Sequence, residues 1–331
     1  CSDSSIADRS ASIPPMRFLN FSGGDRMPAL GLGTWKSDPG EVGAAIKEAI
    51  KIGYRHIDCA SVYGNEAEIG QALSEVFSEG HVTRDDLWIT SKLWSNRHGR
   101  DEVVPTIQES LDRLGVEYLD LYLVHWPVAI RSDSKPPTQP EDLLSLETLP
   151  LEETWAGMED ALERGLARHI GVSNYSATKL GQHMSMKHKP EVNQVELHPY
   201  LAQPELLKYT KENGIHLTGY SPLGSNDRPE GMKAKDDRVL LADPVVQAVA
   251  GRLAITPAQV LLAWALQRGT SVIPKSVNPG RLAENFAAAG IELDDQAMAE
   301  LKGLDDHRRY VTGTFWAKPG SPYTVASLWD E

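Results

Sequence analysis

Cysteine is nearly absent: Cys1 and Cys59 are the only two in 331 residues. A disulfide framework is thereby excluded, and such usage fits a reducing compartment. Neither thiol has a second cysteine or a histidine at ligand spacing. His183 and His188 are spaced to fall on different faces of a helix, so no metal site is expected. Long hydrophobic runs are also missing. No stretch of about 18 apolar residues occurs, which predicts no membrane-spanning helix. Basic residues are in the minority, with 33 Lys and Arg against 46 Asp and Glu and a net charge of −13. That balance opposes nonspecific binding to nucleic acid, although a local basic patch can still hold a small anion. The rest is an ordinary globular composition, 41% hydrophobic, enough for one large barrel or two average domains. The expectation is a cytoplasmic monomer.

Residues 1–15 are rich in Ser, Ala and Asp without periodicity and read as a disordered tail before Met16. A leading Cys with a polar tail also resembles a processed lipoprotein, the alternative that would anchor the chain to a membrane. Residues 16–331 read as one domain. Apolar segments at 18–21 and 27–30 flank Ser22-Gly23-Gly24-Asp25, which predicts a β-hairpin. Short apolar or β-branched runs then alternate with amphipathic helical patterns. Strands are expected to begin near Gly31, His56, Leu87, Leu119, His169, Glu191, His216 and Ser271. Helices are expected over 41–52, 66–79, 101–114, 152–164 and 203–213. This count predicts a (β/α)8 TIM barrel, an α/β fold, with a doubly wound sheet as the competitor. Spacing lengthens after the fourth and seventh strands. The excess loops, 126–150 and 221–243, would stand on the barrel's active-site face. The tail carries Tyr310, Phe315, Trp316, Tyr323 and Trp329, so it should dock.

Gly31-x-Gly33 resembles the start of a Rossmann fingerprint. Lys36 occupies the place of the third glycine, and Pro39 follows where a helix should open. That match fails.

Four ionisable residues lie at or just past the exits of successive strands: Asp58, Tyr63, Lys92 and His125. In a barrel these exits share one rim, so the four converge. A tyrosine with an ordinary pKa near 10 is too weak an acid to protonate an alkoxide well. An adjacent ammonium lowers that value, a role for Lys92, which Asp58 would hold charged. His125 would place a carbonyl oxygen beside the Tyr63 hydroxyl, giving general-acid assistance to hydride transfer. Taken singly, each has a blander reading as a surface ion pair, a core histidine or a rim aromatic. Their convergence on one face reverses that balance.

Longer motifs then become decisive. Gly31-Leu32-Gly33-Thr34-Trp35, Gly53-Tyr54-Arg55-His56-Ile57-Asp58 and Tyr63-Gly64-Asn65-Glu66 resemble the aldo-keto reductase superfamily. So do Leu119-Asp120-Leu121-Tyr122-Leu123-Val124-His125-Trp126-Pro127, Gly171-Val172-Ser173-Asn174 and Ile273-Pro274-Lys275-Ser276. The resemblance runs from about Phe18 to Trp316 and implies the barrel and an Asp-Tyr-Lys-His tetrad at Asp58, Tyr63, Lys92 and His125. It implies NADPH/NADP+ as cofactor, with Ser173, Asn174 and Gln194 on the nicotinamide carboxamide and Tyr220 stacked on the ring. Thr34, Trp35 and Asp58 join that set. Residues 221–229 are similar to the cofactor-covering loop of the aldose and aldehyde reductase branch, bringing in Ser221, Leu223, Ser225 and Asp227. Asn226 departs from the proline common there. Lys275, Ser276, Val277, Arg281, Glu284 and Asn285 fall at the adenosine end, where Lys275 and Arg281 would take a ribose 2′-phosphate. Trp35, Trp94, His125, Trp126, Phe315 and Trp316 fall on the substrate pocket. Alone, Ser173-Asn174 would pass for a helix cap, and Lys275 with Arg281 for a basic loop.

The implied activity is NADPH-dependent reduction of aldehydes and some ketones to alcohols. Oxidation of an alcohol or sugar with NADP+ would use the same residues. A noncatalytic NADPH-binding subunit is the rival from another class, and the intact tetrad argues against it.

Overall fold

A computed structural model describes residues 16–331 except 135 and 137; the tail assigned to 1–15 lies outside the described residues. The chain opens with an antiparallel hairpin, β1 (Phe18–Asn20) and β2 (Arg26–Pro28). The barrel follows: β3 (Leu32–Gly33), β4 (His56–Asp58), β5 (Trp88–Leu93) and β6 (Leu119–Val124). A small hairpin, β7 (Ala129–Ile130) with β8 (Leu143–Leu144), rises from the first excess loop. The barrel resumes with β9 (Ala167–Ser173), β10 (Val192–Glu196), β11 (His216–Tyr220) and β12 (Ser271–Val272). All pairings in this eight-stranded sheet are parallel, and its two ends meet through bridges Leu30–Val272 and Gly33–Lys275. The barrel is closed.

Strands such as Trp88–Leu93 and Leu119–Val124 are buried at every residue, as parallel strands covered by helices require. The expected helices appear at Val42–Ile52, Glu66–Ser78, Arg100–Leu114, Leu151–Glu163 and Pro204–Glu212. Later helices start where a capping side chain precedes a proline, as at Thr256-Pro257, with the Thr256 hydroxyl accepting from the Gln259 amide. Gly31-Leu32-Gly33 belongs to the seam. A β-carbon on Gly33 would lie 2.6 Å from the Ile273 carbonyl oxygen, so glycine lets the first strand close onto the last.

The hairpin caps the barrel end where the strands begin. Phe21 packs on Trp88, His169 and His216, with ring centroids 5.3, 4.3 and 4.8 Å away. His169 Nδ1 faces Glu191 at 2.8 Å and Nε2 faces Asp25 of the hairpin turn at 3.0 Å. Burial works against the charged ring, but Glu191 and Asp25 outweigh it and the His169 pKa is raised. A raised value means that the contribution is complete below the unfolded pKa of about 6.5 and is lost as pH climbs through the folded one. His169→Asn is expected to flatten the decline in stability above pH 6.5. Urea midpoints at several pH values check this, and an unchanged slope would count against the stabilising role of the His169 contacts.

At the opposite rim a second apolar cluster joins Trp126, Val128, Ile130 and Leu143 to Val311, Trp316, Tyr323, Leu328 and Trp329. The tail docks on the catalytic face. Lys179 Nζ secures its end by donating to the Ser327 and Leu328 carbonyls and to Asp330, at 2.7, 3.1 and 2.7 Å.

Candidate active site

Three successive strand exits deliver the four residues of the tetrad to one place, Asp58 and Tyr63 both coming from the exit of β4. Lys92, on β5, points inward with no accessible surface. Its ammonium donates to Asp58 Oδ2 at 2.6 Å, to the Cys59 carbonyl at 2.8 Å and to the Tyr63 hydroxyl at 3.4 Å. Three donors thus meet three acceptors. Asp58 Oδ1 accepts from Gln194 Nε2 at 2.8 Å, which fixes the carboxylate from across the barrel. Burial opposes the Lys92 charge, yet Asp58 beside it prevails and raises the lysine's pKa. Tyr63 stands edge-on to His125, with ring centroids 5.8 Å apart.

The Tyr63 phenol departs from expectation. Lys92 does pull its pKa down, but burial pushes harder and the net shift is upward. The group therefore holds its proton through the neutral range. His125 moves the other way: burial, then Lys92 and His98, hold it well below the usual histidine value. A neutral imidazole can donate one hydrogen bond to a carbonyl oxygen without competing as an acid.

A cavity of about 920 Å³ opens from these groups along the rim. That is near the top of the range for ligand pockets, roughly 300–1,000 Å³. Its lining includes Asp58, Tyr63, His125, Trp35, Trp94, Trp126 and Phe315. It also includes Thr34, Ser173, Asn174, Gln194, Tyr220, Ser221, Leu223, Ser225 and Asp227, together with Lys275, Ser276, Arg281, Glu284 and Asn285. Three assigned residues are not on its wall. Lys92 lies beneath Tyr63. Val277 packs toward the core, and Trp316 stands behind, against Trp94 and Trp126.

Local geometry explains part of this lining. Asn174 adopts a left-handed backbone with φ 64°, and its Nδ2 donates to the His125 carbonyl at 2.9 Å. Its Oδ1 accepts from the Tyr220 hydroxyl at 2.7 Å, which locks the tyrosine ring as a flat wall. Helix Ala177–His183 is capped by Ser176, so Ser173 and Asn174 are free of that duty. Ser221 and Ser225 also have positive φ, 49° and 44°. Such strain gathers where backbone shape serves a site. No ion pair among the described residues uses Lys275 or Arg281.

Lys36 is a site residue that sequence reasoning missed. Its Nζ lies 2.8 Å from Asp227 Oδ2, and both line the cavity. The pair joins the loop after β3 to the loop after β11. Its signal was position: Lys36 follows Thr34-Trp35 at a strand exit, the same placement that marks the tetrad.

A closed parallel barrel thus carries a rim cavity with a lysine-linked tyrosine beside a buried histidine, an arrangement able to give a proton to a reacting oxygen. The model of the aldo/keto reductase family matches residues 29–306. The chain is 53% identical to an aldo/keto reductase of Synechocystis sp., over 96% of this chain and 98% of that protein. It is 44% identical to aldo-keto reductase family 1 member A1 of Rattus norvegicus, over 87% of this chain and 89% of the other. The structure of the aldose reductase from Schistosoma japonicum overlays with a TM-score of 0.82 at 39% identity, covering 91% of this chain and 96% of that one. The chain belongs to the aldo/keto reductase family, in its aldehyde- and aldose-reductase-like branch. These are oxidoreductases that use a nicotinamide cofactor.

Proposed function

We propose that the protein reduces aldehydes, and some ketones, to alcohols with NADPH, Tyr63 donating the proton. The observation that carries this reading is that one cavity is lined both by Tyr63 and His125 and by the cations Lys275 and Arg281, which no ion pair among the described residues uses. The donor set on the cavity wall fits the cofactor. Neutral amide and hydroxyl groups of Ser173, Asn174 and Gln194 suit a carboxamide. Tyr220 offers a flat face to a ring, and two unpaired cations suit a phosphate. When bound, the cofactor supplies the hydride.

This chain's residues do the rest. His125 holds the carbonyl oxygen by a hydrogen bond from its neutral ring. Tyr63 delivers its proton to that oxygen as charge develops. Lys92, fixed by Asp58, stabilises the phenolate left behind. Trp35, Trp94, Trp126 and Phe315 exclude water and present apolar faces to the substrate.

Steady-state kinetics with benzaldehyde, using NADPH and NADH separately, test the reading. Binding without turnover would favour a noncatalytic role. Arg281→Ala is expected to weaken NADPH binding by about 1.5–3 kcal/mol, the scale of a charge-assisted hydrogen bond. NADH, which lacks the 2′-phosphate, should scarcely respond. Equal losses for both cofactors in a fluorescence titration would refute the assignment of Arg281.

A further inference from the structure

Glu196, the last residue of β10, is a buried carboxylate outside the tetrad. Its Oε1 accepts from the Tyr310 backbone amide at 2.7 Å and its Oε2 from that of Val311 at 2.8 Å. His198 Nε2 also lies 2.7 Å from Oε1. Burial works against the Glu196 charge, but His198 and the two amides outweigh it and hold the carboxyl below the usual range. The root of the C-terminal segment is thereby tied to the barrel wall. Val311 and Phe315, just beyond it, face the cavity.

Tyr310 points the other way, into the 221–243 loop. Its hydroxyl donates to the Arg238 carbonyl at 2.6 Å. The Arg228 guanidinium sits 4.6 Å from its ring centroid. A β-carbon built on Gly224 would lie 3.3 Å from the ring edge. One buried side chain therefore meets this loop at Arg228 and Arg238 and lies close beside Gly224, and the same loop carries Asp227, the partner of Lys36 on the cavity wall. The Tyr310 backbone begins the segment that walls the cavity.

We propose that Tyr310 is a positioning residue that couples closure of the 221–243 loop over the cofactor to placement of the 311–316 wall around the substrate. This rests on the NADPH reading above. If the loop settles when NADPH binds, Tyr310 settles with it. Because Glu196 clamps residues 310 and 311 together, that change reaches Val311 and Phe315. Substrate would then meet a wall already set by the cofactor, which lowers the ordering cost of its binding.

Amide hydrogen exchange of the full chain, with and without NADPH, tests the coupling. In the wild type, NADPH is expected to slow exchange in both 221–243 and 312–316. In Tyr310→Phe, which keeps the ring and loses one hydrogen bond, slowing in 221–243 should persist. The NADPH-dependent slowing in 312–316 should shrink about three- to tenfold, the range for one hydrogen bond. Tyr310→Leu, which also removes the ring, should abolish it; if that variant does not fold, Tyr310→Phe decides alone. A merely structural tyrosine would raise exchange equally with and without NADPH, leaving the ratio unchanged, and that result overturns the proposal. Slowing confined to 221–243 in the wild type overturns the coupling and leaves the cofactor reading intact. No slowing in either segment, with no NADPH binding, removes the cofactor reading and the coupling with it.

Discussion

Replacing Tyr63 with phenylalanine is expected to lower kcat by about 10²–10⁴-fold, the usual contribution of a positioned general acid. NADPH affinity should stay nearly unchanged. The two effects separate because the substitution keeps the ring and its edge-on contact with His125, 5.8 Å between centroids. Only the hydroxyl goes, and its partner is Lys92 at 3.4 Å, the longest of that ammonium's three contacts. Lys92 keeps Asp58 and the Cys59 carbonyl, so the fold should survive. Burial raises the phenol's pKa, so the proton is present at neutral pH and is not drawn off by solvent before substrate arrives. Stopped-flow turnover with benzaldehyde, beside a fluorescence titration of NADPH, would measure both. A variant keeping more than about a tenth of wild-type kcat would remove Tyr63 from the acid role.

The parts of this architecture that could be read from sequence share a physical cause. Parallel strands buried on both faces need unbroken apolar runs, so Leu121-Tyr122-Leu123-Val124 announced a strand and placed His125 at its exit. The eight expected strand starts fell close to their observed places, and the tetrad became legible because strand exits converge in a barrel. What stayed hidden depends on loops meeting loops. The Lys36–Asp227 pair brings together loops whose relative path no periodicity encodes. Lys36 entered the reading only as the residue that spoiled a glycine fingerprint, while the glycines themselves serve the barrel seam. Glu196 was passed over because it ends an otherwise ordinary strand. Its partners are backbone amides of Tyr310 and Val311, which carry no residue-type signal. Trp316 was assigned to the pocket from its position in the family resemblance, but it packs behind Trp94 and Trp126. The sign of the Tyr63 shift was likewise out of reach. Sequence placed the ammonium near the phenol but held no measure of the burial that opposes it.

Lys92→Met is expected to cost about 3–5 kcal/mol of stability as well as turnover, because it strands a buried charge. The Lys92 and Asp58 side chains are 0% and 2% exposed and 2.6 Å apart. With the ammonium gone, Asp58 retains the Gln194 amide at 2.8 Å but no cation. Deleting both charges should behave differently. A buried ion pair replaced by neutral groups of similar size is often near neutral in stability, since the desolvation cost of both ions vanishes with their attraction. Lys92→Met with Asp58→Asn should therefore recover most of the lost stability in urea unfolding. Its kcat should stay depressed by about 10²-fold or more, because Tyr63 would still lack the cation that accepts its developing negative charge. The double variant divides what the single one confounds. If it is no more stable than Lys92→Met, the loss comes from packing rather than charge. If it regains stability and wild-type kcat together, the pair only holds the barrel floor, and the proton chemistry at Tyr63 proceeds without it.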